Sequence, residues 1–242
     1  MTLESSLPYV SLAAALAAGV VVGRRAPSSA EPGLKALALA ALAMFAYFRG
    51  VAPAAIAQAL VLSAIAQALL PRGAERFGTA GTLFLAGAWL VFGYLFLKTG
   101  GGFTAAVAEP VRAVLLVALL AGVAACARRV PRRSPRVRAG ALADLLAAGL
   151  AAGAAITLPW SAWPAMAGAL GVLSGEALLQ GTARPEGPAE GPLDHDVIDS
   201  KHLERDTRGK PVSTFPHPAL ARRLAWTLGY LGQAAMAYPF LR

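Results

Sequence analysis

The sequence predicts an all-α polytopic membrane protein with eight transmembrane helices, and three observations predict it. Hydrophobic residues make up 57% of the 242, mean hydropathy is +0.57 and only 14% are charged, where a soluble domain carries roughly a quarter. The charges are segregated: of the 22 basic and 13 acidic residues, only Arg112, Asp144 and Glu176 fall inside the apolar stretches. Each of the eight stretches is about 13–21 residues long, near the roughly 20 a helix needs to cross the hydrocarbon. A barrel would show alternating segments of about 10 residues, whereas these are apolar all round and rich in Ala, Leu and Gly. The composition excludes an ordinary globular enzyme, a disordered protein and a nucleic-acid-binding domain.

Span 1 (8–23) follows seven residues without a basic region, and no small-residue cleavage site comes after it, so it reads as a retained span rather than a signal peptide. Span 2 (36–48) is short, and Arg24, Lys35 and Arg49 snorkel to extend the first two. Span 3 (53–70) carries Gln67 near its end, and span 4 (77–97) is followed by Lys98. Span 5 (111–127) carries Arg112 just after Pro110, an outer-interface position, and the single Cys126, which has no partner for an internal disulfide. Span 6 (139–158) carries Asp144 among Gly140, Gly149 and Gly153, small residues that let helices approach closely. Trp160 and Trp163 in the tight connection to span 7 read as interface anchors. Span 7 (161–180) carries Glu176, and span 8 (224–241) carries Tyr230 and Gln233.

The net charge of +9 has a topological reading. Connections 1–2, 3–4, 5–6 and 7–8 hold 18 of the 22 Lys and Arg. The positive-inside rule then puts these four in the cytoplasm and both termini outside. Loop 5–6 (128–138) carries six Arg, read as a topology determinant touching anionic headgroups. Loop 181–217 is the large soluble insertion, a cytoplasmic piece that begins flexible and holds all three histidines. There His195, Asp199 and His202 fall on one face of a short helix, but a solvated amphipathic turn explains them and the spacing fits no zinc pattern. No metal and no cofactor are expected.

A weak internal repeat is visible. Gln67-Ala68-Leu69-Leu70 matches Glu176-Ala177-Leu178-Leu179 four spans later, and Ala88-Trp89 with Gly93-Tyr94 echo Ala225-Trp226 with Gly229-Tyr230. Two parallel four-helix repeats would produce this, and so would chance in an Ala- and Leu-rich chain. Ionisable residues inside a span are costly unless they face protein, water or each other. Gln67, Asp144 and Glu176 come out at one depth, roughly 5–8 Å below the cytoplasmic surface at 1.5 Å per residue. They would line a cytoplasm-facing cavity, or Asp144 and Glu176 would simply reach water or the Arg of loop 5–6.

Eight spans with polar residues at these places resemble the YhhN-like family, whose animal members are lysoplasmalogenases. Ser63-Ala64-Ile65-Ala66-Gln67-Ala68-Leu69-Leu70 stands where the family reads Ser-x-x-Gly-Asp and Leu-Leu. Ser174-Gly175-Glu176 stands for its Ser-Asp, Tyr230-Leu231-Gly232-Gln233 for its Tyr-x-x-Gln, and Glu31-Pro32-Gly33-Leu34-Lys35 loosely for its Lys-Pro-Leu. Gln67 replaces one Asp, Glu176 lengthens the other, a His of span 4 is absent, and loop 7–8 is longer. The resemblance implies hydrolysis of a lysoplasmalogen vinyl ether, with Glu176, Asp144 and Gln67 catalytic and Tyr230, Gln233 and Lys35 binding substrate. Two carboxyl groups serve such acid/base chemistry, whereas a glutamine transfers no proton. The implied partners are membrane lipids, in the inner membrane of a bacterium. The alternative is a non-catalytic accessory subunit that docks to a membrane-protein partner through 181–217. A transporter would rest on the repeat alone.

Overall fold

The computed structural model of the protein describes residues 3–22, 30–49, 54–70, 75–130, 135–182 and 218–241. Within these the chain is helical, with no strand among the described residues. Eight long helices among the described residues overlap the eight apolar stretches: α1 (Leu3–Val22), α2 (Ala30–Arg49), α3 (Ala54–Leu69), α4 (Glu75–Thr99), α6 (Pro110–Arg129), α7 (Pro135–Ile156), α8 (Trp163–Thr182) and α9 (Pro218–Ala237). The short α5 (Gly102–Ala108) lies between α4 and α6, in the connection between spans 4 and 5. Five helices, α1, α2, α4, α6 and α7, are long and apolar enough to cross a membrane, and α3 is a shorter apolar helix. That is compatible with an integral membrane protein. Of the basic loop read at 128–138, Arg128 and Arg129 continue α6, Arg136 and Arg138 open α7, and 131–134 lie outside the described residues, as does the face of His195, Asp199 and His202.

Several boundaries differ from expectation for local reasons. α7 starts at Pro135, four residues before the apolar stretch, because proline suits the first turn where no N–H is needed. α6 likewise opens on Pro110. Glu109 before it is extended, with φ −97° and ψ 116°, as a residue preceding proline prefers, and this separates α5 from α6. α9 starts at Pro218 and stops at Ala237, giving way to a tight turn at Tyr238–Phe240, because Pro239 cannot continue the ladder.

The long helices close on themselves. α1 packs on α2, α2 on α3, α3 on α4, α4 on α7, α7 on α8, α8 on α9, and α9 returns to α1, while α6 lies outside against α7. The two halves do not pack alike: α4 meets α7 broadly, whereas α9 only brushes α2. The α8–α9 seam is the tightest. A Cβ on Gly168 would stand 2.5 Å from the Gly232 carbonyl oxygen, and one on Gly232 the same distance from that of Gly168, so only glycine permits this approach. Gly140 faces Thr82 of α4, while Gly149 and Gly153 face Val123 and Leu119 of α6, which are packing roles.

Aromatic residues fill the interior. Trp89, Phe92 and Phe96 on α4 are fully buried. Their ring centroids lie 6.4 Å and 6.0 Å apart in sequence, and Phe240 continues the column 6.1 Å from Phe96. Their i, i+3, i+7 spacing puts them on one face of α4.

Candidate functional site

The polar groups gather at the end of the bundle where α1, α3 and α8 finish and α2 and α9 begin. A cavity of about 100 Å³ there is lined by Glu31 and Lys35 of α2, Gln67 of α3, Trp89 of α4, Glu176 of α8, and Arg222, Trp226, Gly229 and Gln233 of α9, among others. On α9 these residues recur at i, i+4, i+7 and i+11, one helical stripe. Arg222 at its head is exposed and Gln233 at its foot is buried. Eleven residues at 1.5 Å rise separate the two by about 16 Å along the helix.

Asp144 stands behind this wall. It is 4% exposed, and its Oδ1 accepts a hydrogen bond from the indole Nε1–H of Trp89 at 3.0 Å. Its carboxyl group meets that of Glu176 within hydrogen-bond reach. A carboxylate only accepts, so a hydrogen bond between the two carries a proton on one of them. Because α7 begins at Pro135, Asp144 lies nine residues into its helix, about 14 Å along the axis.

Lys35 Nζ is 2.7 Å from Glu31 Oε1 and 5.3 Å from the Trp226 ring centroid. The mouth therefore holds the cations Lys35 and Arg222 beside one acid, while the amides of Gln67 and Gln233 and the carboxyl of Glu176 line the wall. The Oε1 of Gln233 and the Oγ of Ser63 are buried without a hydrogen-bond partner among the described residues.

Of the six residues singled out from sequence, Lys35, Gln67, Glu176 and Gln233 share the cavity, and Asp144 reaches it through Glu176 and Trp89. Tyr230 sits elsewhere. The Ser11 hydroxyl donates to the Ala38 carbonyl at 2.7 Å, so in the 2.7 Å Tyr230–Ser11 contact the tyrosine is the donor. Its hydroxyl ties α9 to α1 and, through Ser11, to α2. Its ring lies 5.9 Å from that of Trp226, whose Nε1 donates to the Ala15 carbonyl at 3.2 Å. The sequence reading missed Trp89, although a signal existed: a tryptophan at mid-helix, away from the interfaces, needs an acceptor for its N–H.

The opposite end carries a second polar knot. Arg112 is buried at the start of α6. Its Nε lies 2.6 Å from Glu109 Oε2, Nη1 donates to the Thr157 carbonyl at 3.2 Å, and the guanidinium lies over Trp160, 5.1 Å from the centroid. Trp160 Nε1 donates to Glu109 Oε1 at 2.8 Å, while the Trp160 and Trp163 rings remain exposed. An open cavity of about 510 Å³ there is lined by residues such as Thr99, Pro159, Trp163, Tyr238 and Phe240. Among the described residues no charged side chain lines it.

Fold and site together define an all-helical protein, built largely of membrane-length apolar helices, with a carboxyl pair beside a small polar cavity. No family model, no curated protein and no solved structure matches the chain.

Proposed function

We propose that the chain is an integral membrane hydrolase of the YhhN-like kind that cleaves the vinyl ether of a lysoplasmalogen-type lipid. It crosses the bilayer eight times, with both termini outside and the acidic cavity opening towards the cytoplasm. The observation that carries this reading is the contact of Asp144 with Glu176 against a wall of Gln67, Gln233 and Lys35. Buried acids in a membrane bundle are costly, and a helix seam packs as well with apolar residues, so two acids held together point to proton chemistry.

In the proposed reaction Glu176, the carboxyl group on the cavity wall, gives its proton to the vinyl carbon remote from oxygen. The π electrons form the new C–H bond, leaving an oxocarbenium shared by the adjacent carbon and the ether oxygen. Water adds to that carbon as its proton passes to Glu176. The resulting hemiacetal collapses when its hydroxyl proton transfers by way of Glu176 to the ether oxygen and the C–O bond breaks. The products are an aldehyde and the glycerophospho head group. Asp144 holds Glu176 and exchanges protons with it. Gln67 orients the head group, and Lys35 with Arg222 attracts its phosphate.

One observation favours a second reading. Drug-sized ligand sites run from about 300 to 1,000 Å³, against about 100 Å³ here. A substrate would have to leave its chain in the bilayer and insert only the reacting bond. The second reading is a non-catalytic accessory subunit that keeps this architecture and docks to a membrane-protein partner through 181–217. Purified protein in lipid discs should release aldehyde from lysoplasmalogen, and Glu176→Gln should abolish it. If wild type and Glu176→Gln are equally silent, and deleting 181–217 strips a stable partner while the fold survives, the accessory reading replaces the hydrolase.

A further inference from the structure

We propose that Gln233 anchors a narrow file of water molecules that runs along α9 from the charged mouth to the foot of the cavity and keeps water in contact with Glu176. Three observations place it there. Gln233 is 3% exposed, yet it lines the cavity, and its Oε1 has no hydrogen-bond partner among the described residues. A buried acceptor left unmade is destabilising, and the group that meets it must come from the cavity it faces. Its lining follows Arg222, Trp226, Gly229 and Gln233 along about 16 Å of helix, around a volume of about 100 Å³. A water needs about 10–15 Å³ of such space, so a run of several waters fits.

The walls fit such a file. Gly229 gives the shaft its clearance: with no Cβ it presents backbone alone, and a Cβ built there meets no heavy atom within 4 Å. Gln67 and Glu176 provide further polar contacts along the same wall. Trp89 and Trp226 line the same cavity, and Arg222 at its mouth is exposed. A water accepted at Gln233 donates one hydrogen to Oε1 and keeps its second for its neighbour, so the file is oriented from its foot. The existence of the file does not depend on the hydrolase reading. The consequence that Gln233 is a positioning residue for the attacking water rests on that reading.

Two substitutions separate these levels. Gln233→Met keeps the length of the side chain and removes the acceptor, and Gln233→Glu retains an acceptor. A high-resolution structure of the wild-type protein in lipid discs should show ordered water within hydrogen-bond distance of Gln233 Oε1, and the Gln233→Met structure should lack it. A lipid atom or a protein group on Oε1, or an unchanged file in Gln233→Met, would overturn the inference whatever the activity. With lysoplasmalogen, kcat of Gln233→Met should fall about 10²-fold, as a misplaced reactant does, with KM unchanged. Gln233→Glu should recover much of the loss. A loss confined to KM, or an equal loss in both variants, would overturn the positioning role. Water present in a wild-type protein that releases no aldehyde would sink the hydrolase and leave the file standing.

Discussion

The indole Nε1–H of Trp89 on α4 donates to Oδ1 of Asp144 on α7 across 3.0 Å, joining residues 55 positions apart at the broadest seam of the first half with the second. Both side chains are buried, at 1% and 4% exposure. The bond does two things. It satisfies an N–H that has no water to turn to, and it fixes one oxygen of Asp144 so that the carboxyl group faces Glu176.

The first expectation concerns that bond. Trp89→Phe retains the ring but not the donor, leaving a buried acceptor unmet at a cost of about 1–3 kcal/mol. Thermal unfolding of Trp89→Phe, Asp144→Asn and the double variant forms a cycle whose coupling should be about 0.5–3 kcal/mol. Additive losses would show that the two side chains do not support one another.

Tyr230 is expected to matter for stability and not for turnover. Its hydroxyl is spent on Ser11, so Tyr230→Phe should cost about 0.5–1.5 kcal/mol in unfolding and leave aldehyde release within about twofold. Lost activity at unchanged stability would place the hydroxyl on substrate instead.

Lys35 stands at the mouth between Glu31 and Trp226. If it attracts a phosphate, Lys35→Met should raise KM for a phosphate-bearing lysolipid about tenfold, roughly 1.4 kcal/mol of one charge-assisted contact, with kcat little changed. Lys35→Arg should retain most of the affinity. Equal KM values in all three proteins, measured at low ionic strength, would remove Lys35 from substrate binding.

The α8–α9 seam gives the fourth test. Gly168→Ala puts a methyl group where 2.5 Å separates it from a backbone oxygen, so the helices must part, at a cost of about 1–3 kcal/mol. Gly122→Ala on α6, where a Cβ meets nothing within 4 Å, should be neutral or stabilising by up to about 1 kcal/mol. Comparable unfolding temperatures for the two would mean that the seam is looser than drawn.

The sequence by itself determined where the long helices fall, because apolar runs interrupted by charge and proline are a local property. Each of the eight stretches lies within or overlaps a helix, and the shifted ends of α7 and α9 trace to Pro135, Pro218 and Pro239. It also singled out Gln67, Glu176 and Gln233, since a polar residue in an apolar run stands out by its cost alone, whereas Lys35, just outside its run, entered through the resemblance. Only the tertiary structure decided how these meet. Order along the chain does not say that α7 sits beside α4 or that α9 returns to α1. Helix neighbours are chosen by close contacts such as Gly168 on Gly232, spread over residues distant in sequence. Hence it was packing that put Asp144 behind Glu176 rather than beside it, turned Tyr230 away into a latch, and brought in Trp89, whose role depends on an acceptor that the linear chain does not reveal.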